Sequence, residues 1–412
     1  MSPRLADHAA LAGADVARQL ELLAAPLRGL KVVHVNSTRR GGGVAEILEQ
    51  MVPLMGELGL DASWEVMEGT PLFYRCTKQF HNALQGQDVS LGEELAAYEQ
   101  VNADNAARLR PLLETADVVF VHDPQPAALL SHVPRRRGKW IWRCHIDVSR
   151  PFRPVWRYLR PLVAAHDASI FSLADFAQQL PHPMFLIPPS IDPLAQKNID
   201  LPPEEIDACC QRYGIDRERP LAVQVSRFDR FKDPVGVIRA VTMARAFVPG
   251  LQLVLAGGGA ADDPEGELVL EAVQAAARQL DDVHVLLLPD EAHRTVNALQ
   301  RAADVVLQKS IREGFGLTVA ESLWKGRPVI GGDTGGIRLQ VVDHQTGFLV
   351  SSPEGAALRL RYLLHYHEER QRMGEAGHRH VLQNFLITRQ LREYLTVIHA
   401  LLRGGVDRIE LA

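Results

Sequence analysis

One pattern constrains this chain above all others: short apolar, β-rich runs alternate with helical periodicity, and the alternation starts twice. In the first half the candidate strands are Leu30–Val35, Ser63–Met67, Asp117–Val121, Lys139–Arg143, Ala168–Ser172 and Met184–Ile187. Most are near-continuous apolar runs, as parallel strands covered on both faces require. Between them Ala45, Leu48, Val52 and Met55, then Leu91, Leu95, Tyr98 and Val101, recur at helical spacing. A dense run of prolines from Pro181 to Pro203 breaks the rhythm. It favours extended chain over helix and reads as the crossing between two domains. The rhythm then restarts with Pro220–Val225, Leu251–Ala256, Val283–Leu288, Asp304–Gln308, Pro328–Ile330 and Gly347–Val350. It ends on a helical stripe of Leu391, Tyr394, Ile398 and Leu401, with Thr388 as candidate N-cap. Alternating β and α elements predict an α/β chain with one doubly wound parallel sheet in each half. Ligands of such sheets bind beyond the carboxyl ends of the strands. Two domains facing one another would therefore hold the site in the cleft between them.

A chain of 412 residues has room for two such cores. Its 46% apolar and 23% charged residues carry no skew towards disorder. The net charge of −5 gives no general attraction to nucleic acid or an anionic membrane, so neither is an expected partner. Positive charge for an anionic substrate must then be local, which makes the placement of arginines informative. Cys76, Cys144, Cys209 and Cys210 have neither zinc-ligand nor disulfide-framework spacing, so no metal site is expected, and a reducing, cytoplasmic setting fits them. Asp7, Asp15 and Glu21 interrupt the N-terminal alanines and leucines, unlike a signal peptide. No apolar run approaches the roughly 20 residues of a membrane span.

Gly41-Gly42-Gly43 follows the first strand and opens the first helix. Such a turn lets backbone N–H groups approach a phosphate at a helix N-terminus, or simply makes a tight connection. It is not the dinucleotide fingerprint, whose third glycine would fall at Glu46. Arg39 and Arg40 precede it as anion ligands or as solvated loop residues. Past the first strand of the second half stand Arg227 and Lys232, able to neutralise a diphosphate or to pair with Asp229 and Asp233 at the surface. Glu313-Gly314-Phe315-Gly316-Leu317-Thr318 lies beyond the Asp304–Gln308 strand, and Glu321 falls one turn into the helix that follows. Two carboxylates at a helix start repel phosphate, so hydrogen bonds to sugar hydroxyls suit them better than phosphate contacts do. A capping glutamate beside a helix-face glutamate is the plainer alternative. Two first-half strands run into His122-Asp123 and into His145-Ile146-Asp147. A single strand-end histidine is usually structural, but two of them with aspartates at one sheet edge suggest function.

Arg227, Lys232 and the Glu313–Glu321 pair resemble the signature of glycosyltransferase family 4, which has the GT-B fold of two Rossmann-like domains facing an interdomain cleft. Longer segments are similar to the trehalose-forming branch of that family. They are Val35–Ser37 with Gly41–Leu48, Phe80–Gly86, His122–Ala128, Trp142–Asp147, Pro189–Pro193 and Ser310–Val319. The resemblance implies transfer of glucose from a nucleotide diphosphate glucose, UDP- or ADP-glucose, to glucose. The reaction would retain the anomeric configuration, form an α,α-1,1 linkage and be reversible. It implies an N-terminal domain of residues 1–195, to which a C-terminal helix over 388–412 returns, and a nucleotide-sugar domain of residues 196–387.

On the matching positions Arg227 and Lys232 would hold the leaving diphosphate, and Glu321 the ribose. Glu313 would contact donor-sugar hydroxyls beside Phe315, Gly316, Leu317 and Thr318, with Gly42 and Gly43 completing the donor site. His145 would lie near the donor sugar's 6-hydroxyl, and Asp123 would bind the acceptor or the transferring sugar. His81, Asn82 and Gln85 would complete the acceptor side. Neither metal nor other cofactor is implied, and small sugars are the expected partners, with a homodimer left open. Two departures stand out: the Arg39-Arg40 pair, and Arg230-Phe231 after Asp229. Leu286–Glu291 carries no base-specific signature. Rival readings are a family 4 transferase with another acceptor (glucose 6-phosphate, a fructose derivative or a glucan) and a nucleotide-sugar epimerase or hydrolase on the same fold.

Overall fold

The computed structural model describes residues 4–258, 264–278 and 280–403. The chain divides into two compact units, Met1–Ser190 joined by the segment from Ile387 onward, and Ile191–Leu386. Each is built on a six-stranded, wholly parallel sheet.

In the first unit the strands are β1 (Lys31–Asn36), β2 (Asp61–Val66), β3 (Val118–His122), β4 (Lys139–Arg143), β5 (Ala168–Phe171) and β6 (Met184–Leu186), in the order β2-β1-β3-β4-β5-β6. Every residue of β3 and β5 is buried, as their apolar runs require. The helix Gly43–Glu57 buries Ala45, Leu48, Met51 and Met55 on one stripe, and the helix Glu94–Thr115 buries Tyr98 and Val101. Leu91 lies before that second helix, which begins after Gly92, a residue that weakens helix propagation. Phe73, Phe80, Tyr98, Trp140 and Trp142 fill the core. The final helix, Ile387–Arg403, packs on this unit: Tyr394 stacks on Phe120 at 5.0 Å between ring centroids, and His399 Nε2 lies 2.7 Å from the Leu23 carbonyl oxygen. Helix begins at Ile387, so Thr388 lies inside it, buried, rather than capping it. The part of the expected helix beyond residue 403 lies outside the described residues.

The second unit contains β7 (Leu221–Val225), β8 (Gln252–Gly257), β9 (Val283–Leu287), β10 (Val305–Gln308), β11 (Val329–Gly332) and β12 (Gly347–Val350), in the order β12-β11-β10-β7-β8-β9. Both sheets thus reverse direction once, between β1 and β3 and between β7 and β10. Such a switch point leaves a crevice outside the carboxyl ends of the strands, where ligands of doubly wound folds bind. The core joins Leu253 and Leu255 to Val305, Leu307 and Ile330. Pro202 is extended, at φ −59° and ψ 144°, but Pro203 starts the helix Pro203–Arg212, because a proline in the first turn lacks only an N–H that would have no helical partner.

Gly257, at the end of β8, allows a close approach. A Cβ there would lie 1.8 Å from the carbonyl oxygen of Ser226, the residue before Arg227. Gly257→Ala should therefore displace that loop and cost roughly 1–3 kcal/mol of stability. Urea unfolding followed by circular dichroism measures this, and an unchanged midpoint would contradict the close packing.

Candidate active site

Two loops meet at the switch point of the second sheet. The loop after β7 carries Arg227 through Lys232, and the loop after β10 carries Lys309 through Gly316. Phe231 offers its carbonyl oxygen to the Ile311 N–H at 2.8 Å, joining the loops through backbone. Lys232 Nζ donates to the Glu313 carboxylate, which also accepts from Ser310 Oγ at 3.1 Å. Lys232 thus pairs with Glu313, not with Asp233. Asp233 instead sits in left-handed backbone, φ 49°, and caps the helix Pro234–Arg245 by accepting from Gly236 N–H at 3.1 Å. Its second oxygen pairs with Lys309. Arg227 does pair with Asp229, loosely at 3.4 Å, and about half its side chain remains exposed.

Gly316, with φ 81°, turns the chain into the helix Leu317–Trp324. Gln340 Nε2 holds the Phe315 carbonyl oxygen at 2.6 Å and fixes the loop from behind, while Thr318 Oγ1 donates to Gln308 Oε1 at 3.3 Å. Glu321 is buried inside this helix. Its carboxylate lies 3.8 Å from Lys197 Nζ and accepts from Gln300 Nε2 at 3.5 Å. The cluster therefore presents a half-exposed guanidinium, a lysine–glutamate pair and a helix N-terminus on one edge. These are elements that bind a diphosphate and sugar hydroxyls.

In the first unit the chain after β3 turns at Asp123, whose φ of 63° is left-handed. Aspartate tolerates this conformation through its short polar side chain. Asp123 Oδ1 accepts the His145 N–H at 2.7 Å, and the Asp123 carbonyl oxygen accepts from Trp142 Nε1 at 3.0 Å. Burial pushes the Asp123 carboxyl up to about 7, while the His145 N–H bond and Arg143 oppose the rise. Gly41 and Gly42, at φ 72° and 84°, lead into the helix that starts at Gly43, after β1. His81, Asn82 and Gln85 occupy the last turn of the helix Pro71–Leu84 and its cap, next to Ala83, whose carbonyl oxygen accepts from Phe152 N–H at 2.8 Å. That bond ties the turn to the segment following His145. Arg39 lies over the Trp64 ring at 4.1 Å and donates to the Trp64 carbonyl oxygen at 3.1 Å.

Three residues beside these were not among the expected site residues. His34, on β1, continues a chain of imidazoles: His34 Nδ1 to His122 Nε2 at 3.0 Å, and His122 Nδ1 to His145 Nε2 at 3.1 Å. Burial holds all three well below the usual histidine range, His34 down at about 3, so the chain is neutral. A neutral chain has two proton orders. In one, His34 donates to His122 and His122 to His145, leaving His145 Nδ1–H as a donor. The other buries an N–H at His34 Nε2, which has no partner. An orphaned N–H is the rarer of the two defects, which favours the donor form. Arg143, fully buried, donates to the carbonyl oxygens of Ile187 at 2.8 Å and Cys144 at 3.2 Å, and its charge helps keep His122 and His145 unprotonated. Tyr394, from the final helix, stacks on His34 at 6.3 Å. An arginine closing the apolar run Trp140–Trp142 was the one signal available for any of these.

His122→Phe keeps the stack but orphans nitrogens on both neighbours. It should cost about 1–3 kcal/mol per buried unpaired group, and a loss below that range in denaturant unfolding would refute the chain of bonds.

Among the described residues no group of three or more His, Cys, Asp or Glu side chains is placed to hold a metal ion. No helix among them is long and apolar enough to cross a membrane.

Comparison with known proteins gives this geometry a family. Residues 34–178 match the family model for the N-terminal domain of trehalose synthase, and residues 207–380 match that for glycosyl transferases group 1. A trehalose synthase from Pyrococcus horikoshii is 44% identical over 407 residues, covering 98% of this chain and 97% of that protein. One from Rubrobacter xylanophilus is 43% identical over 405 residues, covering 97% of each. A solved trehalose-6-phosphate synthase superposes with a TM-score of 0.74 over 92% of this chain and 100% of that one, at 15% identity. At that identity the likeness speaks for the fold alone, the GT-B fold. The chain belongs to the trehalose synthase family of GT-B glycosyltransferases, whose work is trehalose-related glycosyl transfer.

Proposed function

We propose that this chain transfers glucose from a nucleotide diphosphate glucose to free glucose, with retention, forming trehalose reversibly. The observation that carries the donor half is the convergence of the β7 and β10 loops at a switch point, with Lys232 paired to Glu313 and Arg227 half free. Arg227 and Lys232 receive the diphosphate, and Glu313 exchanges part of its bond with Lys232 for donor-sugar hydroxyls. The backbone from Phe315 to Thr318, with Gly42 and Gly43, lines the donor, and Glu321 serves the ribose. The helix N-terminus at Leu317 adds its positive end.

Asp123 and His145 contact the sugars, with His81, Asn82 and Gln85 on the acceptor side. In the transfer the bond from the anomeric carbon to the diphosphate oxygen breaks as a bond to the acceptor hydroxyl forms on the same face. The acceptor proton passes to the departing phosphate oxygen, whose negative charge Arg227 and Lys232 stabilise.

Arg39 is engaged with Trp64, which favours an unphosphorylated acceptor. A panel of nucleotide-glucose donors with glucose and glucose 6-phosphate as acceptors tests the reading through nucleotide release. Release should depend on free glucose, and an Arg39→Ala, Arg40→Ala double variant should leave the ratio of kcat/KM for the two acceptors unchanged. A strong preference for glucose 6-phosphate that the double variant abolishes would replace this acceptor assignment.

A further inference from the structure

A cavity of about 710 Å³ opens in the Ile191–Leu386 unit at the opposite end of the sheet from the donor loops. It lies against Asp304 and Pro328, the residues that precede β10 and β11. Its walls come from the turn Trp324–Pro328 and from one side of the helix His367–Asn384.

The cavity is built of cations. Arg301, Lys325, Arg327, Arg370 and Arg379 line it, with His367 and His378 beside them. Three carboxylates, Asp200, Asp304 and Glu375, line it against these five, and Glu375 accepts from Gln371 Nε2 at 3.1 Å. Arg301 pairs with Asp200 at 2.8 Å, but that carboxylate is almost fully exposed, and Arg370 pairs with Asp304 at 3.1 Å. Lys325 Nζ is held by neutral oxygens, Asn198 Oδ1 and the Glu321 carbonyl, both at 3.0 Å. Arg327 donates to the Arg301 carbonyl oxygen at 2.5 Å, and its Nε is buried without a partner. Arg379 projects from the exposed side of its helix. Burial depresses Lys325 to about 7, and Arg301 and Lys197 push it the same way although Glu321 opposes them. Arg327 is likewise lowered by burial first, then against Asp304 by Arg217, Arg370 and Arg301. Five crowded cations against three carboxylates leave an excess of positive charge suited to an anion. One wall is aromatic: Trp324 and His378 stack with centroids 4.4 Å apart, a flat surface suited to a sugar or base.

We propose that this cavity is a regulatory site for a phosphorylated small metabolite, one that carries a phosphate ester on a sugar- or nucleotide-sized body. Its coupling to catalysis runs through a single helix. Leu317–Trp324 begins at the donor loop, carries Thr318 and Glu321, and ends on Trp324 in the cavity wall. Lys325 bonds the Glu321 carbonyl oxygen, His378 Nδ1 lies 2.5 Å from the Trp324 carbonyl oxygen, and Gly374 lets the neighbouring helix touch Gly326. An occupant that draws Lys325 and Trp324 towards it moves the helix that holds Glu321. This coupling rests on the donor reading above, whereas the binding does not.

Calorimetric titration of the full chain with inorganic phosphate, a hexose 6-phosphate and ATP tests both parts. At least one of the three should bind saturably. Arg379→Ala should weaken that binding without altering basal activity, and the double variant Arg370→Ala, Arg379→Ala should weaken it at least about tenfold, as loss of charge-assisted bonds implies. Arg227→Ala should leave it intact. With the hexose 6-phosphate, whose ester phosphate is almost wholly dianionic at pH 7.5, the heat should vary with the ionisation enthalpy of the buffer in the sense of proton uptake, because an anion raises the Lys325 pKa. The ligand that binds should also shift the KM for the donor. Binding that Arg227→Ala abolishes while the cavity variants keep it would place the anion at the donor loops and overturn the site. So would an absence of binding by all three probes at millimolar concentration. Binding that survives in the cavity without any change in donor KM would overturn the coupling alone.

Discussion

Arg227→Ala should slow glucosyl transfer by about 10²–10³, or 3–4 kcal/mol, with little loss of stability. The magnitude is that of removing one donor aimed at charge that develops in the transition state, here on the departing diphosphate. Stability should hold because the side chain is half exposed and its pair with Asp229, at 3.4 Å, is a surface contact of the weak kind. Lys232 offers the instructive contrast. It and Glu313 are both largely buried, so Lys232→Ala would strand the Glu313 carboxylate and mix a folding defect of roughly 3–5 kcal/mol with any loss of rate. Single-turnover kinetics on Arg227→Ala, alongside a denaturant curve, separate the two effects. A kcat near that of the unaltered chain would remove Arg227 from the mechanism.

The second large effect concerns Asp123 and carries a pH signature. Burial raises this carboxyl to about 7, so it becomes fully ionised only above neutrality. If the carboxylate accepts a sugar hydroxyl, kcat/KM for the acceptor should climb between pH 6 and 8. Asp123→Asn should lose about 1.5–3 kcal/mol, roughly 10- to 150-fold, the worth of a hydrogen bond to a charged group, and its pH profile should lack the limb near 7. Asparagine is the right replacement because it also tolerates the left-handed backbone at this position. The sign for stability is the reverse of that for rate. A raised carboxyl pKa means that the folded chain holds the proton more tightly than the unfolded one. Stability contributed by the protonated form is therefore present at low pH and lost as pH rises from about 4 through 7. The unaltered chain should lose stability against Asp123→Asn over that window. Parallel pH profiles for the two proteins would show that Asp123 neither titrates there nor serves the acceptor.

Much of this architecture is written in the order of residues. Among the described residues all twelve strands fall on the expected runs, within two residues of their bounds, because a strand covered on both faces has no use for polar alternation. The loops that hold the candidate site were legible where strand ends meet turns, at Arg227–Lys232, Glu313–Thr318, Asp123 and His145. What the sequence hid is depth and partnership. Nothing in Val32-Val33-His34 says that this histidine is buried and bonded to His122 across the sheet, for parallel neighbours are set by strand order rather than by separation along the chain. Arg143 reads as the polar end of a strand, yet it is wholly buried and served by carbonyl oxygens. Lys232 and Asp233 look like a local ion pair, but the αL cap at Asp233 turns them to different partners, Glu313 and Lys309. Pro203 departs from the extended reading for a related reason: the same ring that breaks a helix interior is at home in a first turn.

The product itself decides whether this chain forms trehalose. The full chain incubated with a nucleotide diphosphate glucose and [1-¹³C]glucose should release nucleoside diphosphate only when glucose is present. The carbon NMR spectrum should show a single new disaccharide whose two anomeric carbons are both α and joined to one oxygen. A different disaccharide, a phosphorylated product, or donor turnover that ignores the acceptor would contradict the account.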